Sequence, residues 1–200
     1  MISFTLLSAL STYYFIMFVT PGPNNAMLTA SGMKFGFIKT IPHLIGIPTG
    51  HIIQISLVCF GLGNLFIQFP VLHFYLKILC FFYLLYLSWT IFGSLNFKKK
   101  NSGRPLKLYE AALFQFINPK AWTISTMAAS GFLPKEGNLI ISIFFIAIVA
   151  LIICPISISP WAAFGSAIRN FVKNKRIKAL IEYFLAFLLL ITAILIVIQK

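Results

Sequence analysis

The stretch Phe18-Val19-Thr20-Pro21-Gly22-Pro23-Asn24-Asn25-Ala26-Met27-Leu28 interrupts a run of apolar residues long enough to cross a lipid bilayer. Pro21 and Pro23 each lack an N–H and clash with the preceding turn. Gly22 between them lets the backbone take angles that a helix forbids. One helix is expected to end near Val19 and another to begin near Asn24, with Asn24 or Asn25 as its N-cap. The new helix start presents free N–H groups and a partial positive charge at membrane depth, an arrangement suited to a carboxylate. Lipid offers no hydrogen bonds to an opened backbone. Such a break is tolerated only where it is buried in protein or lines a cavity.

The rest of the chain has the composition that a bilayer demands. Of its 200 residues, 60% are hydrophobic and 10% charged, against about half and a quarter in a soluble domain. Six spans are expected: Phe4 to Met33 with the break inside it, Thr40 to Phe69, Val71 to Phe97, Tyr109 to Leu133, Leu139 to Phe164, and Lys178 to Ile198. Little is left outside them, so the chemistry must happen within the membrane or in short loops. The N-terminal apolar stretch follows no basic segment and leads into Pro-Gly-Pro, so it is not expected to be a cleaved signal.

There is no Asp, and Glu occurs only at positions 110, 136 and 182, against 16 Lys and Arg. In a soluble protein a net charge of +13 would suggest a nucleic-acid partner; here the basic residues sit between apolar segments and set orientation. Lys34 and Lys39, then Lys98, Lys99, Lys100, Arg104 and Lys107, then Arg169, Lys173, Lys175, Arg176 and Lys178 follow spans one, three and five. The opposite side holds Lys77, Lys135 and Lys200. The positive-inside rule then places both termini outside the cytoplasm. Cys59, Cys80 and Cys154 are scattered, without a CxxC or metal-ligand spacing, and read as packing residues. No phosphate-binding G-x-x-x-x-G-K loop occurs, which argues against ATP hydrolysis.

The halves of the chain echo each other. Phe18-Val19-Thr20-Pro21 corresponds to Phe116-Ile117-Asn118-Pro119, and Ala30-Ser31-Gly32 to Ala129-Ser130-Gly131. With three spans per half, the second half enters the membrane the opposite way up. The fold class expected is an all-α integral membrane protein of six transmembrane helices. They form two inverted three-helix repeats, residues 1–100 and 101–200, in one transmembrane domain, with helices 1 and 4 broken at their Pro-containing motifs.

Three further positions bear on chemistry. Lys120 follows the second break near the middle of the fourth span, where a charge is costly and marks a functional site; no mid-membrane carboxylate is available to pair with it. A substrate carboxylate would be such a partner. His51 lies inside the second span as a proton relay or a hydrogen-bonded packing residue, beside Gly46 and Gly50 on one helix face. His43 and His73 lie near span ends and say little. Pro155 and Pro160 are expected to bend the fifth span, with Ser157 and Ser159 as polar lining, and the aromatic third span faces lipid or packs.

The Thr-Pro-Gly-Pro-Asn-Asn stretch, the Gly46-Ile47-Pro48-Thr49-Gly50 segment followed by Gly61-Leu62-Gly63, and Phe116-Ile117-Asn118-Pro119-Lys120-Ala121-Trp122 together resemble the LysE/RhtB family of amino-acid exporters, in order and spacing over essentially the whole chain. The resemblance implies a six-span inner-membrane exporter driven by proton exchange, closest to the branch that handles homoserine, threonine, cysteine or O-acetylserine. The residues give their own reason for a neutral substrate: a cationic side chain would need a buried anion, and none is present at mid-membrane.

The expectation is therefore a secondary active exporter working by alternating access, not an enzyme, with no cofactor and no metal. Its partners are a small-molecule amino acid and the lipid bilayer, without nucleic acid; a homo-oligomer is compatible with the sequence. Thr20, Pro21, Gly22, Pro23, Asn24, Asn25, Asn118, Pro119 and Lys120 form the expected substrate site, with His51 or Lys120 as proton relay. The alternatives are a metal-ion exporter on the same architecture and a membrane thiol oxidoreductase, disfavoured because neither broken helix carries a cysteine.

Overall fold

A computed structural model describes residues 3–63, 68–94, 104–133, 138–171 and 175–198. Their regular structure is all helical. In chain order the helices are α1 (Phe4–Val19), α2 (Pro23–Phe35), α3 (Phe37–Leu57), α4 (Pro70–Ser94), α5 (Leu108–Ile117), α6 (Pro119–Phe132), α7 (Leu139–Phe171) and α8 (Lys175–Ile198). Ser3 caps α1, its hydroxyl accepting from the N–H of Leu6. α3 continues as a wider π-helical turn over Val58–Leu62, closed by Gly61 at φ +106°, which only glycine adopts freely.

Three stretches are long and apolar enough to cross a bilayer: Phe37–Leu62, Leu139–Arg169 and Ala179–Ile198. α1 and α2 pass as a fourth when taken together, bent by 57° at their junction. Phe74–Tyr86 and Leu108–Ile117 are shorter apolar helices. Some expected boundaries move. α7 runs on to Phe171, beyond Phe164, and continues through Pro155 and Pro160. α8 begins at Lys175 rather than Lys178. The end expected at Phe69 follows segment 64–67, which is outside the described residues, and the end expected at Phe97 lies outside them, as do Glu136, Lys98, Lys99, Lys100, Lys135, Lys173 and Lys200.

The central core joins Leu10 and Tyr14 of α1, Leu28 of α2, Ile47 and Ile55 of α3, and Ile146 and Ile158 of α7, all buried. The outer faces are apolar too: Phe15, Phe60, Phe82, Trp89, Phe144 and Phe187 are exposed. A solvent of lipid tails gives little hydrophobic drive between helices, so close backbone packing must hold them together. Glycines provide it. A Cβ built on Gly46 or Gly50 of α3 would sit 2.3 Å from the carbonyl oxygen of Leu108 or Ala112 on α5. On α2 and α7 the glycines interlock: a Cβ on Gly32 would lie 2.3 Å from the Ala162 oxygen, and one on Gly165 2.1 Å from the Thr29 oxygen. The expectation that Gly46 and Gly50 allow close helix contact is met.

Candidate functional site

The junction between α1 and α2 opens the backbone, so the freed carbonyls of α1 must find donors. Each does. The Asn25 amide donates to the oxygens of Phe18 and Thr20, both at 2.8 Å. The Trp161 indole, reaching from α7, donates to Val19 at 3.1 Å. The Lys120 ammonium donates to the Thr20 oxygen at 2.9 Å, the Thr20 hydroxyl at 2.9 Å and the Pro21 oxygen at 3.1 Å. The Thr20 hydroxyl itself donates to the Met17 oxygen at 2.9 Å.

Lys120 thus spends its three donors on the other break, 100 residues away in the chain. The sequence leaves it without a partner; the structure supplies the C-terminal end of α1, whose dipole and unpaired carbonyls favour a cation. Gly22 makes this approach feasible. A Cβ there would fall 2.9 Å from Lys120 Cδ.

The two helix starts differ. At α6 the buried Asn118 accepts from the Lys120 backbone N–H at 3.1 Å and caps the helix. At α2 the cap position is Gly22, Pro23 takes the first helical position, and no side chain caps the start. Asn24 and Asn25 are therefore not N-caps as expected, because each is already one or two residues inside the helix. Their side chains serve elsewhere: Asn24 exchanges two hydrogen bonds with the Gln115 amide on α5, at 2.9 and 3.3 Å. The first N–H groups of α2 thus lack a side-chain cap, and Gly22, Asn24 and Asn25 border one small space.

That space is a cavity of about 20 Å³, room for about one water. It is lined by Gly22, Asn24, Asn25, His51, Gln115, Asn118 and Lys120, with Met17, Phe18, Ala121, Ile124 and Ile158 as apolar walls. Of the expected site residues, Thr20 joins through Lys120. Pro21, Pro23 and Pro119 shape the two breaks without lining the cavity. His51 is fully enclosed, its ring edge-on to Tyr14 and Phe18 at 5.8 and 5.1 Å. Among the described residues neither of its nitrogens has a hydrogen-bond partner, nor do the Tyr14 hydroxyl and Asn25 Oδ1. Ser157 and Ser159 do not line the site: each bonds a carbonyl of its own helix, and Ile158 faces the cavity.

Sequence reasoning missed Gln115 and Gln54. Gln54 donates to the Gln115 backbone oxygen at 3.0 Å and accepts from Ser125 at 3.3 Å. A glutamine three residues before Asn118 and another three after His51, both within apolar spans, were the available signal. Cys80 and Cys154 are buried and Cys59 half-buried, all as free thiols. Among the described residues no cluster of His, Cys, Asp or Glu could hold a metal ion.

Residues 15–200 match the LysE type translocator family. The chain is 31% identical over 137 residues to the cysteine/O-acetylserine efflux protein of Escherichia coli (strain K12), covering 68% of this chain and 70% of that protein. It is 28% identical over 161 residues to the protein of the same name from Salmonella paratyphi A (strain ATCC 9150 / SARB42), covering 80% and 82%. No solved structure matches.

Proposed function

The chain belongs to the LysE type translocator family, and on that premise we propose that it is a proton-coupled exporter of small neutral amino acids, of the cysteine or O-acetylserine kind, working by alternating access. The observation that carries this reading is the open start of α2 beside unpaired buried acceptors. The N–H groups of Asn24 and Asn25 would take the substrate carboxylate. The unpaired Asn25 Oδ1 would accept from its ammonium. The apolar wall of Met17, Phe18, Ile124 and Ile158 suits a short neutral side chain, and no carboxylate lines the cavity to receive a cationic one.

The cavity has room for about one water, so an amino acid enters only when the halves part. The pairs that bridge the breaks, Lys120 with Thr20 and Asn24 with Gln115, are the ones that must open. Once released from Thr20, the Lys120 ammonium is a partner for the carboxylate. His51 or Lys120 would then carry the coupling proton.

In this reading the chain spans the membrane six times, α1–α2 and α5–α6 being broken spans of two inverted repeats, with both termini outside. Part of the packing supports the symmetry, although α2 packs on α7 far more extensively than α6 on α3. α3 packs on α5 as α7 packs on α1, while α3 meets α7 and α4 meets α8. These pairs are what a two-fold axis in the membrane plane would generate.

The test is efflux from expressing cells loaded with mixed dipeptides, each free amino acid outside being followed by mass spectrometry beside a Lys120→Met variant and an empty vector. Faster appearance of a few neutral amino acids, abolished in the variant at equal membrane abundance, is expected. Efflux equal to the empty vector for every amino acid would overturn the proposal.

A further inference from the structure

α3 carries a second buried imidazole that the transport site does not use. His43 is 1% exposed, and neither ring nitrogen has a hydrogen-bond partner. Thr40, His43, Ile47, His51 and Gln54 follow one another at spacings of three or four and are all buried. They form a single stripe along α3, about 21 Å long at the helical rise. Four of the five are polar, in a helix otherwise apolar enough to cross a bilayer.

One end of the stripe reaches the cavity at His51. The other reaches Thr40, whose hydroxyl meets that of Ser31 at 2.9 Å near the start of α3. Buried polar groups are nearly always satisfied. Two unpartnered imidazoles on one stripe, about 12 Å apart along the axis, are therefore sites that something else must satisfy in part of the working cycle.

We infer that His43 is the cytoplasmic proton-release group of the transporter, receiving the proton from His51 and passing it past Thr40 and Ser31 to the cytoplasm. This rests on the proton-coupled reading above. The orientation set by Lys34 and Lys39 places the His43 end of α3 toward the cytoplasm. In this conformation Ile47 fills the stripe between the rings; as the halves part, water entering the cavity joins them. A proton taken up at His51 from outside leaves an imidazolium there. Its transfer through water restores neutral His51 and charges His43, and release to the cytoplasm restores neutral His43. One proton moves inward for each substrate moved outward, and no other reactant is consumed.

The elements packed against α3 supply no competing partner. Their titratable groups are Tyr13 and Tyr14 of α1, Lys34 of α2, Tyr109 and Glu110 of α5, Lys120 of α6, and Cys154 and Arg169 of α7, with Lys39 and Cys59 on α3 and its extension. None hydrogen-bonds either imidazole. Glu110 is held by Arg104, and Lys120 by Thr20 and Pro21.

The experiment uses full-length protein in proteoliposomes with labelled O-acetylserine. Two rates are measured for wild type, His43→Gln and His43→Asn: accumulation driven by an imposed pH gradient, with proton flux followed by an internal dye, and exchange of labelled for unlabelled substrate without a gradient. Expected for both variants is a fall of about a hundredfold in gradient-driven accumulation and proton flux, with exchange close to wild type. Variants that keep both rates overturn the inference. So do folded variants that lose both rates equally, since His43 would then serve structure alone. Wild type that exchanges but ignores the gradient defeats the proton-coupled reading itself, a result distinct from unchanged variants beside a coupled wild type.

Discussion

Gly22 and Lys120 meet face to face: a Cβ built on Gly22 would lie 2.9 Å from Lys120 Cδ and 3.2 Å from its Nζ. The two positions are 98 residues apart, the same offset that aligns Thr20-Pro21 with Asn118-Pro119. In the proposed inverted repeat the two positions are equivalent. One member of this pair has no side chain, and the other has a long cationic one. The lysine of the second half fills the space that glycine leaves in the first.

Gly22→Ala should therefore impair transport more than folding. Gly22 is fully extended, so alanine meets no backbone penalty there. The added methyl strikes a flexible side chain, which yields by leaving Thr20. That breaks the two bonds to the Thr20 carbonyl and hydroxyl, each worth about 1.5–3 kcal/mol, and efflux should drop about tenfold or more at normal membrane abundance. Gly131→Ala, where a Cβ would meet nothing within 4 Å, is the control and should export like wild type. Equal efflux by the two variants would remove Gly22 from the mechanism.

The helix-contact glycines behave in the opposite way. A methyl at Gly50 or Gly165 would press on backbone oxygens of a neighbouring helix, at 2.3 and 2.1 Å, and backbone cannot step aside as a side chain can. Gly50→Ala and Gly165→Ala should each cost about 1–3 kcal/mol. In a chain of this size that lowers the melting temperature of the detergent-solubilised protein by roughly 2–10 °C. Thermal unfolding followed by size-exclusion chromatography checks this. Wild-type stability in both variants would show that α3 and α2 stand further from their neighbours.

The contrast between these glycines marks what was legible in the sequence. Pro21, Gly22, Pro23 and Pro119 announce two backbone interruptions through chemistry that is local to each residue, and Lys120 announces itself by its cost in lipid. Which groups satisfy the interruptions is not local. Trp161, Gln115 and Gln54 reach the site from α7, α5 and α3; the two glutamines stand out as polar residues in apolar spans, but nothing local says which group each will bond. The caps expected at Asn24 or Asn25 lie two or three residues beyond the observed one, Gly22, because Pro23, with no N–H to lose, takes the first helical position. Ser157 and Ser159 misled for a related reason, since a serine in an apolar helix bonds its own preceding turn as readily as it lines a cavity.

The free thiols separate transport from redox chemistry. A variant with Cys59→Ser, Cys80→Ala and Cys154→Ala should export amino acids within about twofold of wild type, with a melting temperature lowered by a few degrees for the two buried sulfurs. Loss of function in a folded cysteine-free protein would revive thiol chemistry and count against the exporter reading.

Asn24 and Gln115 test whether a bridge that must open is also a bridge that must exist. Gln115→Leu leaves the Asn24 amide facing an apolar side chain and should destabilise the protein by about 1–3 kcal/mol. Asn24→Leu should cost a similar amount by stranding Gln115 Oε1, while Gln115 Nε2 keeps its bond to the Ala111 oxygen. The double variant strands neither, so its stability should recover toward wild type, with a coupling of about 0.5–3 kcal/mol between the sites. Transport should not recover with it. The cavity would keep its shape while losing a polar wall beside the start of α2, so efflux should stay as low as in the worse single variant. Melting temperatures and efflux rates measured on the four proteins decide the matter. Recovery of both together would mean that the amide pair only packs the two halves, and that the substrate is held by the backbone of α2, Asn25 and Lys120 without it.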